Sequence, residues 1–165
     1  MSEAPDVERL REVGLFGGLN DAALEGLAHA HAIIDLGPGS SVFEEGEPGR
    51  EMFVVLEGEI EMFRTVNGRE AFIASVAKND WFGEMSILDI LPRPTTARVV
   101  RQASLLRLTA HDLDVLYRRD LKGYALLVLN IAREMSRRLR HTDATLADLR
   151  VLHQPPPAEP ASPSD

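Results

Sequence analysis

The stretch EMFVVLEGEIEMFRTVNGREAFIASV, residues 51–76, carries the pattern that decides the fold. It holds three β-rich runs, which are separated by a Glu–Gly step and by Asn67–Gly68. Asn–Gly between two such runs favours a two-residue hairpin, because both residues of that turn need a positive φ. Comparable runs with glycine turns between them continue on both sides. The full set is Ala32–Leu36, Ser41–Glu44, Met52–Leu56, Glu59–Arg64, Glu70–Val76, Ala97–Val100 and Ser104–Thr109. Runs of this length and spacing predict a small antiparallel barrel or sandwich over residues 32–110.

Helical patterns flank this β region on both sides. Apolar residues recur at near-helical spacing from Val7 onward, and Asn20 is a good N-cap for a second helix, so helices are predicted within residues 7–31. Beyond the β region, helices are predicted over residues 111–152, the last of them running from about Asp120 to Leu152. Residues 153–165 are rich in proline and predict a disordered tail after a single domain of residues 1–152.

The composition excludes several classes of protein. The 165 residues are 44% apolar and carry a formal net charge of −8. The chain contains no cysteine, which excludes disulfides, zinc ribbons, iron–sulfur clusters and thiol catalysis. An acidic chain is a poor binder of DNA or of acidic lipid, because affinity for phosphate comes mostly from Lys and Arg. No secretory signal is visible and the longest apolar run, Ala125–Leu129, is far too short to span a bilayer, so we expect a cytoplasmic protein.

The long C-terminal helix carries a sustained heptad seam. Its members follow one another at spacings of four and three: Val128, Ala132, Met135, Leu139, Thr142, Leu146 and Leu149. Such a seam predicts a homodimer through this helix, and the alternative is a single amphipathic helix lying on the barrel. Thr142 is the one polar member, which favours a role in register or a polar contact at that point.

Residues 80–100, DWFGEMSILDILPRPTTARVV, carry the candidate chemistry. A Gly83–Glu84 step opens a predicted helical turn over Glu84–Leu88, whose backbone N–H groups suit a phosphate. Arg93 on the other arm of the loop would neutralise that phosphate and offer it paired donors. Glu84 cannot bind a phosphate, whereas a ribose hydroxyl donates to a carboxylate. These residues predict a ligand with a sugar hydroxyl and a single phosphate charge, and the alternative is a surface ion pair between Glu84 and Arg93.

Three segments together resemble the cyclic nucleotide-binding domain, which is shared by the catabolite activator protein, the regulatory subunits of cAMP-dependent protein kinase and cyclic nucleotide-gated channels. LREVGLFGGLNDAALEGLA is similar to the family's N-terminal helical motif, and VFEEGEPGREMFVVLEGEIEMF to its strand–turn–strand signature. FGEMSILDILPRPTTARV is similar to the phosphate-binding cassette, here residues 82–98. The resemblance implies a mainly β fold with flanking α: a double-stranded β-helix, or jelly-roll-like β-roll, with N-terminal helices and a long C-terminal helix. It also implies a cyclic nucleotide ligand, which we expect to be cAMP rather than cGMP, and no metal.

The resemblance implies roles for individual residues. Glu84 would accept the ribose 2′-hydroxyl, Arg93 would pair with the cyclic phosphate, and Gly83 would permit close approach of the backbone. Thr142 would read the adenine amino group, and Arg138 would pair with Glu84. The apolar side of the base pocket would be lined by Val54 and Leu56 or Ile73. The complete set of expected ligand-binding residues is Gly83, Glu84, Met85, Ser86, Arg93, Pro94, Thr95, Arg138 and Thr142.

One position departs from the family pattern. The residue after the cassette arginine usually contributes a backbone N–H to the phosphate, but here it is Pro94, which has none. The loss of a hydrogen bond to a charged group costs on the order of 1–3 kcal/mol. A hydroxyl of Thr95 or Thr96 is the candidate substitute. The function predicted from the sequence is a cyclic nucleotide sensor that relays binding through its C-terminal helix to an unidentified effector protein. The alternative is a degenerate fold that acts as a non-sensing dimeric interaction module.

Two other patterns give weaker hypotheses. His29 and His31, followed by Asp35, match the metal-binding pattern of a jelly-roll enzyme, but positions i and i+2 of a helix do not share a face. A basic run at residues 137–140 is more typical of a solvated face than of a nucleic-acid site. Because only the proline-rich segment follows the long helix, we expect no helix-turn-helix and no direct DNA binding. No nucleophile–base constellation is recognisable, so we expect no catalysis.

Overall fold

The computed structural model describes residues 6–28 and 33–153. The chain divides into two compact units, residues 1–131 and residues 132–165, and each is described by itself. The first unit contains all the strands of the described residues and the shorter helices. The second contains the C-terminal part of the longest helix.

The elements follow one another in the order that the hydrophobic pattern predicts. The helices are α1 (Val7–Arg11), α2 (Asp21–Leu27), α3 (Met85–Leu88), α4 (Ala110–Arg119) and α5 (Leu121–Leu152), with a 3-10 turn at Gly14–Phe16. The strands are β1 (Ile33–Leu36), β2 (Ser41–Phe43), β3 (Glu51–Val66), β4 (Arg69–Ala77), β5 (Trp81–Phe82) and β6 (Thr96–Thr109). The predicted mainly β fold with flanking helices and a long C-terminal helix is confirmed.

The sheet is organised by the antiparallel pairing of β3 with β6. Residues 51–55 of β3 pair with residues 105–109 of β6, and residues 59–63 pair with residues 96–101. The remaining strands join this pair antiparallel: β1 and β2 on β6, β4 and β5 on β3. The predicted hairpin at Asn67–Gly68 joins β3 to β4, where Val66 pairs with Arg69 and both turn residues have a positive φ. This confirms that the Asn–Gly dipeptide sets the register of the hairpin.

Two pairs of predicted strands are each a single strand. Met52–Leu56 and Glu59–Arg64 lie in the continuous β3, and Ala97–Val100 and Ser104–Thr109 lie in the continuous β6. The register shifts between Val55 and Ile60, so a bulge stands where the sequence suggests a turn. Gly58 at this bulge has φ +91°, and a Cβ there would lie 2.7 Å from the Cα of Ala103. Only glycine allows the two long strands to pass so closely at this point.

The N-terminal helices are shorter than the sequence predicts. Within residues 7–31 the structure has two short helices and a 3-10 turn, and residues 29–31 lie outside the described residues. The predicted cap is confirmed, because Asn20 Oδ1 accepts a hydrogen bond of 2.8 Å from the backbone N–H of Ala23. On α5, the buried side chain of Asn130 donates to the carbonyl oxygens of Leu15 and Gly17, both at 3.0 Å. These two bonds fix the 3-10 turn against the first part of α5 within the same unit.

None of the helices among the described residues combines the length and the apolar character that crossing a membrane would require.

The bulge at Gly58 gives a direct test of the fold. We expect Gly58→Ala to lower the free energy of unfolding by about 2–4 kcal/mol, because it adds backbone strain and a collision with β6. The control is Gly68→Ala, which also has a positive φ but whose added Cβ would meet nothing within 4 Å. Gly68→Ala should lower the free energy of unfolding by about 1–2 kcal/mol. Urea unfolding of both variants measures the difference, and equal losses would contradict a close passage of the strands at Gly58.

Candidate functional site

The site is built around a tight turn and one short helix between β5 and β6. Gly83 has φ +84°, and a Cβ at this position would lie 2.9 Å from Nη1 of Arg93. The chain then turns into α3, where the N–H groups of Ile87 and Leu88 bond to the carbonyl of Glu84. The N–H groups of Met85 and Ser86 precede Ile87, the first intrahelical donor, and have no bond within the helix. They form a small set of backbone donors beside Gly83, as the sequence predicts.

Arg93 is buried inside the β-roll. Its side chain is only 3% exposed, and Nη1 donates to the carbonyl oxygens of Glu51 at 2.8 Å and Gly83 at 3.0 Å. Within the described part of the chain, Nε is buried with no hydrogen-bond partner. One edge of the guanidinium is therefore fixed by the backbone, while the Nε donor has no acceptor among residues 6–28 and 33–153.

Burial changes the electrostatics of this cation. Desolvation lowers the pKa of the Arg93 guanidinium below its ordinary value, and the nearby carboxylates of Glu51 and Glu47 act in the opposite direction. Arginine stays protonated at neutral pH even so, because its ordinary pKa is far above 7. A desolvated cation held by neutral carbonyl groups attracts an anion more strongly than an exposed cation does.

The loop between β2 and β3 holds the backbone of Arg93 in place. The N–H of Gly46 donates to the Arg93 carbonyl at 2.9 Å, and the Arg93 N–H donates to the carbonyl of Glu47 at 2.8 Å. The guanidinium also packs against Gly49, where a Cβ would overlap the side chain of Arg93. The glycine-rich sequence of this loop is therefore needed for close packing as well as for turning the chain.

Thr96 joins the same loop to the start of β6. Its hydroxyl donates to Oε2 of Glu44 at 3.1 Å and accepts from the N–H of Glu45 at 3.0 Å. The hydroxyl of Thr96 already donates its one proton to Glu44. Thr96 is therefore a poor substitute for the backbone N–H that Pro94 lacks. Thr95 is half-buried and Pro94 is exposed.

The remaining predicted residues of this segment differ in burial. Glu84 is 5% exposed and Ser86 only 1%, whereas Met85 is 43% exposed. Since Glu84 and Arg93 are both buried, the alternative of a surface ion pair between them is wrong. Like the Arg93 Nε, the Ser86 Oγ is a buried polar atom without a partner among the described residues. Buried donors without partners are rare, and they suit a ligand that carries anionic or hydroxyl oxygens.

The apolar lining differs from the one that the sequence suggests. Side chains alternate along β3, and Phe53 and Val55 belong to the cluster of apolar residues that fills the roll. Val54 and Leu56 are buried on the opposite face of the strand, and Ile73 is 53% exposed. The structure therefore does not support the expected lining by Val54 and Leu56, because a displacement of one residue along a strand reverses the face, and the role of Ile73 stays a prediction.

The aromatic surroundings of Arg93 are not predicted by the sequence. Its Cζ atom lies 4.1 Å from the ring centroid of Phe43 and 5.9 Å from that of Phe53. Phe43 is 50 positions before Arg93 in the chain, and no local pattern connects the two residues. Only the alternation of β2 could have indicated that Phe43 faces the interior.

The two predicted residues of the long helix lie in the second unit. Arg138 Nε bonds to Oε1 of Glu134 at 3.1 Å, and the Thr142 hydroxyl donates to the carbonyl of Arg138 at 3.0 Å. Desolvation tends to raise the pKa of Glu134, but hydrogen bonds from Arg137 and Arg138 outweigh it and lower the pKa. The roles of Arg138 and Thr142 toward a nucleotide stay predictions.

Only one of the three candidate metal ligands lies among the described residues. His29 and His31 lie outside the described residues, and Asp35 lies on β1. Within residues 6–28 and 33–153, no cluster of three or more His, Cys, Asp or Glu side chains is arranged to hold a metal ion.

A family model and known proteins match this chain. The family model for the cyclic nucleotide-binding domain matches residues 33–120. A CRP-like cAMP-activated global transcriptional regulator of Mycobacterium tuberculosis is 32% identical over 143 residues, which are 86% of this chain and 62% of that protein. The chain thus spans less than two thirds of the length of this relative.

Solved structures with similar folds include two bacterial regulators. The Thermus thermophilus catabolite activator protein aligns with a TM-score of 0.69 and 31% identity, covering 83% of this chain and 63% of that one. The N-terminal domain of a transcriptional regulator from Streptomyces coelicolor aligns with a TM-score of 0.68 and 32% identity. The alignment covers 81% of this chain and 94% of that one.

The anchoring role of Thr96 can be tested by an isosteric change. We expect Thr96→Val to lower the free energy of unfolding by about 1–2 kcal/mol, because the N–H of Glu45 loses its acceptor. The matched control is Thr95→Val at the neighbouring, half-buried position, with an expected change within about 0.5 kcal/mol. Urea denaturation measures both, and a Thr96→Val variant as stable as the control would show that the hydroxyl does not anchor the loop.

Proposed function

Because this chain belongs to the cyclic nucleotide-binding domain family, we propose that it is a regulatory module that binds a cyclic nucleotide, with cAMP preferred over cGMP. The buried guanidinium of Arg93 is the observation that carries the proposal. It lies inside the roll beside the short helix α3, with a donor left over at Nε. A ring phosphate with one negative charge supplies the acceptor that this donor lacks.

The residues around Arg93 suit the other parts of such a ligand. The backbone N–H groups of Met85 and Ser86 add donors for the phosphate oxygens, and Gly83 allows the ligand to approach the backbone. Glu84 accepts the 2′-hydroxyl of the ribose, since a carboxylate accepts from a hydroxyl but repels a phosphate. The burial of Glu84 and Arg93 keeps both interactions away from bulk water, which strengthens them.

Pro94 affects both affinity and selectivity. The missing N–H removes one phosphate contact, and we assign the hydroxyl of Thr95 as its substitute because Thr96 is bonded to Glu44. Proline also has no hydroxyl at the position where, by the family resemblance, a threonine favours cGMP. The preference for cAMP rests on this absence and on Thr142, which we propose reads the adenine amino group.

We propose that the long helix relays the binding of the ligand to a partner protein. Arg138 would pair with Glu84 in the bound state, and Thr142 would contact the purine. A ligand shifts an equilibrium only through its differential affinity for the two states, so these contacts must form better in one helix position. The identity of the effector follows from none of these residues.

The same helix is proposed to form a homodimer. Three leucines of the heptad seam are largely exposed: Leu139 at 61%, Leu146 at 45% and Leu149 at 49%. Apolar residues at a and d positions are stabilised when a second helix covers them. A second copy of this chain presents the same seam and is the partner that this pattern fits.

A second function is favoured by Pro94 alone. If the lost phosphate contact is not replaced, the chain is a non-sensing dimeric interaction module that keeps the fold. Both functions are non-catalytic, and they differ in whether a cyclic nucleotide binds.

Titration with cyclic nucleotides distinguishes the two proposed functions. The purified chain is titrated with cAMP and cGMP by calorimetry and by the fluorescence of Trp81, the single tryptophan. We expect cAMP to bind more tightly, and Arg93→Ala to weaken binding about 100-fold, because the phosphate then lies in the pocket without its counter-charge. The control Arg101→Ala removes an exposed cation of β6 outside the cassette, which pairs with Glu59 at 3.0 Å, and the affinity of this variant should match that of the wild type. No binding at millimolar nucleotide would favour the interaction module.

Light scattering tests the dimer. We expect the chain to be a dimer, and Leu139→Asp to dissociate it by burying a charge in the seam. The control Ala144→Asp introduces the same charge five residues further on, on the opposite side of the helix, and should leave the dimer intact. A monomeric wild type, or dissociation by both variants, would contradict the seam.

A further inference from the structure

Three phenylalanine rings form a cluster inside the roll. The ring centroids of Phe53 and Phe82 lie 5.4 Å apart, and Phe43 lies 6.1 Å and 5.8 Å from them. All three side chains are at most 6% exposed. The guanidinium of Arg93 lies over one face of this cluster, closest to Phe43, with Cζ 4.1 Å from its ring centroid.

The aromatic contact and the carbonyl hydrogen bonds of Arg93 use different parts of the guanidinium. All N–H donors of a guanidinium point outward in its plane, so a ring stacked on the face uses none of them. The carbonyl oxygens of Glu51 and Gly83 use Nη1 only. The ring of Phe43 therefore contacts the guanidinium without replacing a carbonyl bond, and Nε has no acceptor among the described residues.

This contact adds to the two carbonyl hydrogen bonds that fix Nη1 of the cation. No carboxylate of the described residues lies within ion-pairing distance of Arg93, although Glu51 and Glu47 act on its charge from further away. A cation over an aromatic face is attracted by the ring quadrupole, and the attraction increases when the cation is desolvated. At 3% exposure, Arg93 meets that condition.

We propose that Phe43 is a positioning residue, whose ring holds the Arg93 guanidinium in the orientation that receives the ligand phosphate. This inference rests on the proposed binding of a cyclic nucleotide at Arg93. Phe53 supports the cation from a longer distance of 5.9 Å. Phe82 packs against both rings but makes no cation–π contact with Arg93.

The alternative is that Phe43 only fills the core, and two leucine variants separate the two roles. Phe43→Leu and Phe82→Leu remove a ring from the same cluster and both lower the unfolding midpoint. Of these two variants, only Phe43→Leu should weaken cAMP binding, by about fivefold, because the ring of Phe43 contacts the guanidinium and that of Phe82 does not. Phe43→Tyr keeps the aromatic face and should bind within about twofold of the wild type. Equal loss of affinity in the two leucine variants, or a tyrosine variant as weak as Phe43→Leu, would overturn the proposal.

A second measurement needs no nucleotide. In an Arg93→Met background there is no cation to hold, so Phe43→Leu should lower the urea midpoint less than it does in the wild type. Phe82→Leu should lower it equally in both backgrounds. If the wild type binds no nucleotide but Phe43 and Arg93 couple, the proposed ligand is wrong and the positioning contact stands. If nucleotide binds but the two substitutions are additive, the positioning role is wrong.

Discussion

The guanidinium of Arg93 is a cation taken out of water into the interior of a β-roll, and the surrounding structure compensates for that cost. Two backbone carbonyls accept from Nη1, and the centroid of the Phe43 ring lies 4.1 Å from Cζ. No carboxylate of the described residues contacts the cation. A carboxylate at contact distance would neutralise it and compete with any anionic ligand, whereas carbonyls and rings hold it and leave the charge available.

Close packing around this cation dictates glycine at positions that turn formation alone does not explain. Gly83 needs its positive φ, and it also leaves room for Nη1 of Arg93. Gly49 leaves room for the rest of the guanidinium. The backbone of Arg93 bonds to the loop after β2 through Gly46 and Glu47, so the loop and the cassette position the cation together.

In a site assembled in this way, the Arg93 side chain is already oriented before a ligand binds. The ring and carbonyls restrict the side chain, so binding a phosphate costs less conformational entropy than it would at a flexible surface arginine. The paired strands β3 and β6 supply the rigid frame, since the cassette and Arg93 lie between β5 and β6 while Glu51 begins β3. Buried donors without partners at Nε of Arg93 and Oγ of Ser86 are the part of the site that the protein leaves unsatisfied.

Local chemistry in the sequence was sufficient for the hairpin at Asn67–Gly68, the cap at Asn20, the long helix and the helical turn that follows Gly83. Each depends on residues that are close together in the chain, where turn geometry, capping and helical periodicity act directly. Burial of Glu84 and Arg93, in contrast, could not be read from their spacing.

Only the tertiary structure decided which features meet across the roll. It joined two pairs of predicted strands through the bulge at Gly58, and it put Phe53 and Val55, not Val54 and Leu56, on the inner face of β3. It also brought Phe43 under Arg93 across 50 positions of chain. The physical reason is the same in each case: strand register and facing are set by long-range pairing, and a shift of one residue reverses every side chain.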